Sequence, residues 1–403
     1  MKITIIHAHW NNRGDEAALR ALVDELRDHY EAAEIYVQIL SKDVFQFPYK
    51  EEDVHLSNVR FPKRKNCLDY WLASITKGKI AIFDNTKEFV NLVKDSDIVL
   101  HGPGGPSIGD IYYHLEEGYL KRLDLVRAMG IKYAFFAPSM GPFNCQDAKR
   151  NRLRKRVLNN AEFIFLREAT SASFLEQFGI SKDKIKVSLD SAFQHYGDEN
   201  KYSKQLEEYR ELKSFIDSYE KVIGITITGL MWHPVHKNNE HLSSDIESTF
   251  TTFITELRQK GIGVVFIPQL FGEHHDKSLM AKYMQDNCFI VDDEHDCYFQ
   301  QYLIGKLYAV VGMRYHSNIF SAKMGTPFIS VSYEQKMSGF MDISGLKDYC
   351  ININELSSEK LIETFSRLEN NYDNYRQQLS EKKALWAREA HKTTDAVIRV
   401  LSK

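Results

Sequence analysis

Cysteine is sparse and unpatterned in this chain. Cys67, Cys145, Cys288, Cys297 and Cys350 make an odd set of five with no C-x-x-C spacing, which argues against a disulfide framework and for a reducing, cytoplasmic compartment. Long apolar runs are missing too. No stretch approaches the roughly 20 apolar residues of a membrane-spanning helix. The opening Met1-Lys-Ile-Thr-Ile-Ile-His7 soon meets Asn11-Asn-Arg-Gly-Asp15, and so reads as a first strand rather than a signal peptide. Neither sign of charge dominates. A net charge of −3 and a pI near 6.6 leave no basic footprint for a nucleic-acid partner. Metal spacings are absent as well. His274-His275-Asp276 and the Asp292–Cys297 run carry ligand-capable side chains, but neither has His-x-x-x-His or paired cysteines. Both read as polar loops, with no metal and no cofactor expected.

What is present is enough chain for two α/β cores: 403 residues, 43% hydrophobic and 27% charged. The first, over residues 1–196, opens with a strand at Lys2–His7 and an amphipathic helix at Glu16–His29, joined by a polar loop. A second strand is expected at 35–40, and residues 41–80 read as irregular, with Lys63-Arg64-Lys65 on a solvated surface loop. A strand at 97–101 then runs into the glycine-rich turn Gly102–Asp110, which lacks both the dinucleotide fingerprint and the Lys-Ser/Thr of a P-loop. A strand at 133–137 ends in Pro138-Ser-Met-Gly-Pro142, and another at 163–166 ends in Arg167-Glu168. The second domain, 197–403, repeats the plan, with strands at 222–228 and 264–268 and a long charged helix at its end, expected to pack back on the first domain.

Residues 307–336 carry the most chemistry. The apolar run Leu307–Val311 reads as a buried strand, followed by Arg314 and His316, then Ile319, Phe320, Ala322 and Met324 at helical spacing. Gly325 closes the helix and Phe328–Val331 is the next strand, so the unit is a parallel crossover. Arg314 and His316 therefore sit past a strand's carboxyl end and at a helix start, where anions are favoured. Arg167 repeats that geometry. Each residue also has a plainer reading. Arg167 could serve an ion pair with Glu168 or a neighbour, His316 could cap its helix, Asp15 could cap the first helix, and Lys336 could be an exposed lysine. The chain is rich in aromatics, with 24 Phe and 21 Tyr. Trp10, Tyr112, Tyr113 and Trp232 could stack on a sugar ring or pack into the core.

Taken in order, these segments resemble the polysaccharide pyruvyl transferase family. The resemblance rests on Asn12-Arg-Gly14-Asp15-Glu16, Gly102-Pro-Gly104-Gly105, Ser139-Met-Gly141-Pro142, Arg167-Glu168 with Ser171 and Leu175, Asp190-Ser-Ala192, and Pro268-Gln269 with Asp276. The most specific block is Arg314-Tyr315-His316, continued by Gly325-Thr-Pro327, Tyr333 and Lys336. Pro103 and Ser139 depart from the family's usual glycines. The resemblance implies a GT-B-like pair of Rossmann-like domains facing a cleft. It also implies transfer of pyruvate from phosphoenolpyruvate onto two hydroxyls of a cell-surface or exopolysaccharide sugar, forming a ketal and releasing phosphate. Phosphoenolpyruvate would be bound by Arg167, Arg314, Tyr315, His316 and Lys336, with His316 as acid/base. Asp15 and His101, placed on the opposite domain, are the candidate acceptor-side bases. Asn12, Gly14, Gly104, Gly105 and Gln269 complete the expected site. The acceptor would be a sugar, an oligosaccharide or a lipid-linked glycan, the last bringing the protein to the inner membrane face. Acceptor choice is expected to lie in residues 41–80, 106–118 and 229–245. Two rivals stand beside this reading. One is a nucleotide-sugar GT-B glycosyltransferase using Glu334 and Asp342, and the other a non-catalytic sugar- or phosphate-binding protein.

Overall fold

The computed structural model describes residues 1–40, 47–61, 67–271 and 275–403, with the side chains of 67, 106, 107 and 240 set aside. It divides the chain into two compact units. The first comprises Met1–Asn11, Ala18–Gln194 and Glu389–Lys403, and the second Asn12–Ala17 and His195–Arg388. The switch between them thus falls at 194/195. Two short pieces, at the start of the first helix and at the end of the last, belong to units other than sequence order suggests.

In the first unit the strands are β1 (Lys2–Ala8), β2 (Glu34–Ile39), β3 (Val54–Ser57), β4 (Ile98–His101), β5 (Gly104–Ile108), β6 (Tyr133–Phe135), β7 (Pro138–Met140), β8 (Ile164–Leu166) and β9 (Ile185–Val187). Seven of them form a parallel sheet in the order β3-β2-β1-β4-β6-β8-β9. Its β-branched strands are apolar on both faces, as a sheet covered on both sides requires. One face buries Phe61, Phe89, Leu123, Phe135 and Leu166. The other buries Ile3, Ile5, Leu22, Leu26 and Phe136, with Val397 from the C-terminal helix Tyr372–Leu401.

Two expectations for this unit are corrected. Residues 41–80 are not all irregular: β3 lies there, as does the helix Cys67–Ile75. Lys63-Arg64-Lys65 falls outside the described residues. The turn at Gly102–Asp110 contains β5, which pairs in parallel with β7 as a separate two-stranded sheet. Glycine is required where these two loops cross. Gly109 has φ +136°, and a Cβ on it would lie 2.6 Å from the Gly141 backbone.

In the second unit β10 (Val222–Thr226), β11 (Gly263–Phe266), β12 (Cys288–Ile290), β13 (Ala309–Gly312), β14 (Phe328–Ser332) and β15 (Cys350–Asn352) form a parallel sheet in the order β12-β11-β10-β13-β14-β15. The register sets Thr226 opposite Gly312, so β10 and β13 end level. The crossover helix Tyr315–Met324 leaves from that edge and closes at Gly325, which is left-handed at φ +80°, as the sequence pattern predicts.

Candidate active site

The site in the second unit is built on the start of the helix Tyr315–Met324. Thr226 Oγ1, at the end of β10, accepts from Arg314 N at 3.3 Å and lies 2.8 Å from Ser317 Oγ, while Ser317 Oγ donates to Arg314 O at 2.6 Å. These bonds fix the helix entry and leave the Arg314 and His316 side chains in the loops beyond the strands.

Arg314 is 5% exposed, and its partner is Asp276. Nε donates to Asp276 Oδ2 at 3.1 Å and Nη2 to Asp276 Oδ1, a two-pronged grip. Asp276 Oδ2 also accepts from the backbone N–H of Gln269 and Leu270, at 3.1 and 3.0 Å, so one carboxylate both shapes the loop after β11 and aims the guanidinium. Burial alone would lower the pKa of Arg314. Asp276 foremost, with Tyr333 and Asp15, outweighs it and holds the group cationic. Among the described residues no hydrogen bond occupies its Nη1, which leaves one arm of the fork for an oxyanion. The Trp232 ring lies 5.9 Å from the guanidinium carbon.

His316 is buried, and its ring rests on the peptide of Gly14. A Cβ at Gly14 would fall 1.9 Å from Nδ1 and 2.1 Å from Cγ, so no residue with a side chain fits there without displacing the imidazole. The Asn12–Ala17 segment docks within this unit through several contacts. Arg13 N donates to Gln269 O at 2.8 Å, Arg13 Nη2 donates to Asp293 O at 2.8 Å, and Arg13 pairs with Glu16 at 2.6 Å with both side chains buried. Asn12 Oδ1 accepts from Gly14 N at 2.8 Å, so Asn12 rather than Asp15 supplies the side-chain cap of the first helix. Asp15 is half-buried and acts electrostatically on Arg314. It groups with Arg314 and His316 in the second unit and not, as expected, on the opposite domain. Gln269 is fully buried, and neither atom of its carboxamide has a hydrogen-bond partner among the described residues. A buried, unsatisfied amide costs on the order of 1–3 kcal/mol.

Lys336 is engaged as well. Its Nζ is 2.5 Å from Glu334 Oε2 and 6.0 Å from the Tyr315 ring centroid. Glu334 is almost wholly buried. Desolvation would raise its pKa, but Lys336 and then His233, 3.7 Å away, bring it down to about 2. His236 Nε2 meets Tyr333 O at 3.0 Å, so the two-histidine loop after β10 wraps this corner. The sequence showed those histidines without saying what they face. The two acids named for a nucleotide-sugar enzyme have partners of their own. Glu334 is committed to Lys336 and His233, and Asp342 is exposed, 3.7 Å from Lys347.

In the first unit Arg167 is 2% exposed, its Nη1 donating to Asp190 Oδ2 at 2.8 Å and its Nε to Ser139 Oγ at 2.9 Å. An acid that grips it is Asp190. Glu168 accepts from Ser139 Oγ at 3.1 Å and from Ser171 Oγ. The short motifs at 139, 167–171 and 190 are thus one buried network. Arg167 shares the build of Arg314: a guanidinium at a strand's carboxyl end, gripped by an acid of its own unit. His101 is buried edge-on to His7 at 4.6 Å, and its Nδ1–H donates to Gly102 O at 2.8 Å. Burial, the largest influence, pushes its pKa to about 4, so it is neutral. Gly104 sits at φ +155° in β5, while a side chain on Gly105 would meet open space. Trp10 is a core residue, 5.0 Å from the Phe47 ring, and Tyr113 is taken up by Arg150 at 4.2 Å and Asp147 at 2.7 Å. Of the aromatic residues named for sugar stacking, Trp232 stands beside Arg314, partly exposed.

The first of the metal candidates is occupied otherwise: Asp276 holds Arg314, and His274 lies outside the described residues. In the second, His295 stacks on Phe299 with ring centroids 4.1 Å apart and meets Gln205 at 2.6 Å.

The sequence profile of the family described as polysaccharide pyruvyl transferase matches residues 12–335. The amylovoran biosynthesis protein AmsJ of Erwinia amylovora is 25% identical over 416 residues, covering 94% of this chain and 95% of that protein. Among solved structures, Anabaena Alr3699/HepE in complex with UDP-glucose is 12% identical with a TM-score of 0.64, over 100% of this chain and 99% of that one. UDP-GlcNAc 2-epimerase from Neisseria meningitidis bound to UDP-GlcNAc is 13% identical with a TM-score of 0.59, over 99% and 100%. At those identities the likeness speaks for the fold alone, which is GT-B-like with Rossmann-like units.

Proposed function

This chain belongs to the polysaccharide pyruvyl transferase family, and from that premise we propose that it moves the pyruvate group of phosphoenolpyruvate onto two hydroxyls of a polysaccharide sugar. The observation that carries the reading is the His316 imidazole seated on Gly14, in one unit with the Asp276-gripped Arg314 and with Asp15.

The chemistry needs oxyanion binding and proton movement. Phosphoenolpyruvate brings a phosphate and a carboxylate, and a preorganised guanidinium with an arm to spare suits either. Arg314 takes one of them, and Arg167, fixed in its own unit by Asp190, stays a candidate oxyanion fork. A proton delivered to the vinyl carbon C3 turns the methylene into a methyl group and leaves C2 electrophilic. One sugar hydroxyl then adds to C2, the C2–O bond to phosphate breaks, and the second hydroxyl closes the ketal. Of the two hydroxyl protons, one replaces the proton delivered to C3 and the other leaves with phosphate. His316 is the proton donor in this scheme, and Asp15, in the same unit, the base that receives a hydroxyl proton.

The test is release of phosphate from phosphoenolpyruvate across a panel of glycans, with UDP-glucose as the rival donor. His316→Ala is expected to bind phosphoenolpyruvate within a few-fold of wild type while phosphate release falls about 100-fold or more. Arg314→Ala is expected to lose binding. Turnover of UDP-glucose without any turnover of phosphoenolpyruvate would overturn the reading in favour of a glycosyltransferase.

A further inference from the structure

The first unit holds a buried cation that the proposed chemistry does not use. Its sheet order, β3-β2-β1-β4, reverses direction at β1, and open α/β sheets take ligands beyond the carboxyl ends of strands at such a point. Past the ends of β1 and β2 lies a cavity of about 690 Å³, lined among others by His9, Arg60, Tyr119, Lys121, Arg122 and Arg150. Arg122 is 6% exposed. Four other buried arginines have an acid: Arg13 has Glu16, Arg154 has Glu116, Arg167 has Asp190 and Arg314 has Asp276. Among the described residues Arg122 has none. Its Nη1 donates to the Phe61 carbonyl, its carbon lies 4.9 Å from the Tyr119 ring centroid, and its Nε is buried without a hydrogen-bond partner. Burial pushes its pKa down to about 10, which leaves it charged at neutral pH. Of the other cations, Lys121 and Arg150 share Glu117, at 2.7 and 3.3 Å, and Arg150 also reaches Glu116. The lining is therefore in cationic excess. A buried charge with no counter-charge is costly unless an anion comes to it. On the same wall His9 Nε2 meets Tyr119 OH at 3.0 Å, polar groups of the kind that hold hydroxyls.

We propose that this cavity is an oxyanion subsite anchored by Arg122, taking the phosphate or carboxylate of a charged sugar. Only the name acceptor for that sugar rests on the pyruvyl transfer reading. Calorimetry on the full chain tests it with inorganic pyrophosphate, glucose 1-phosphate, glucuronate, glucose and phosphoenolpyruvate. At least one of the three anions other than phosphoenolpyruvate is expected to bind ten-fold or more tighter than glucose. Glucose 1-phosphate or pyrophosphate would mark a phosphate, and glucuronate a carboxylate. Arg122→Gln should weaken that anion at least ten-fold and leave phosphoenolpyruvate within three-fold. Should Arg122→Gln misfold, Arg60→Gln with Lys121→Gln at the mouth is expected to weaken the same anion and flatten its salt dependence. If none of the three anions binds, or the variants bind them as wild type does, the subsite is overturned. Failure of phosphoenolpyruvate alone would sink the pyruvyl reading and leave the subsite standing.

Discussion

Gly14 has no side chain, and the imidazole of His316 lies where one would be. A single methyl group there must move either the ring or the backbone, and misplacing a catalytic group by an ångström is costly. Gly14→Ala is expected to cut phosphate release about 100-fold while its thermal midpoint falls by only a few degrees, read by a coupled phosphate assay beside differential scanning fluorimetry. Gly14→Ser should behave alike, and a variant with full activity would remove His316 from the chemistry. The sequence could mark Gly14 as a motif glycine but not say what lies against it, because His316 is 302 positions away in the chain. Arg314 was visible for the opposite reason: a strand, a cation and a helix start are consecutive, and local order alone places the guanidinium at the sheet edge.

The secondary-structure elements carry ion pairs that no local pattern discloses. Glu116, on the helix Tyr113–Ala128, is fully buried and receives Arg154 Nε at 2.8 Å and Arg150 Nη1 at 2.8 Å from the helix Ala148–Asn159. It also accepts from Gly109 N at 2.9 Å, and so ties the glycine loop to the two helices. Removing one partner of a buried pair strands the other. Glu116→Ala is therefore expected to destabilise the first unit by roughly 3–5 kcal/mol, measured by urea unfolding, with Glu116→Gln milder. On that basic helix Arg150 and Arg154 are buried. The helix Tyr315–Met324 was legible because Gly312 and Gly325 punctuate it, whereas β5 was not. Its pairing with β7 depends on two glycine loops meeting across 32 residues, from Gly109 to Gly141.

For the whole molecule, the buried titratable groups set an order of events on acidification. His101 has its pKa lowered to about 4, and His7 is lowered well below its ordinary value, burial leading in both. In the unfolded chain both bind protons near pH 6.5, so stability is lost as pH falls from about 6.5 toward 4, by at most about 3 kcal/mol for His101. Glu334, in the second unit, is held at about 2 against an ordinary 4.5. Its contribution is present above pH 4.5 and lost below it. The first unit should therefore weaken before the second in a pH series of melting curves, and His101→Gln should flatten the limb between pH 6.5 and 4. Among the described residues no helix is long and apolar enough to cross a membrane. The sequence by itself determined the alternation of strands and helices, the doubling of the plan, and the arginine and histidine at a strand's end. All of these rest on contacts within a few residues, where periodicity and glycine punctuation suffice. Only tertiary structure decided which acid grips each of these arginines, that Asn12–Ala17 joins the unit of His316, and that Arg122 has no acid among the described residues. Each is a pairing between distant segments, chosen by burial and charge, for which chain order has no signal.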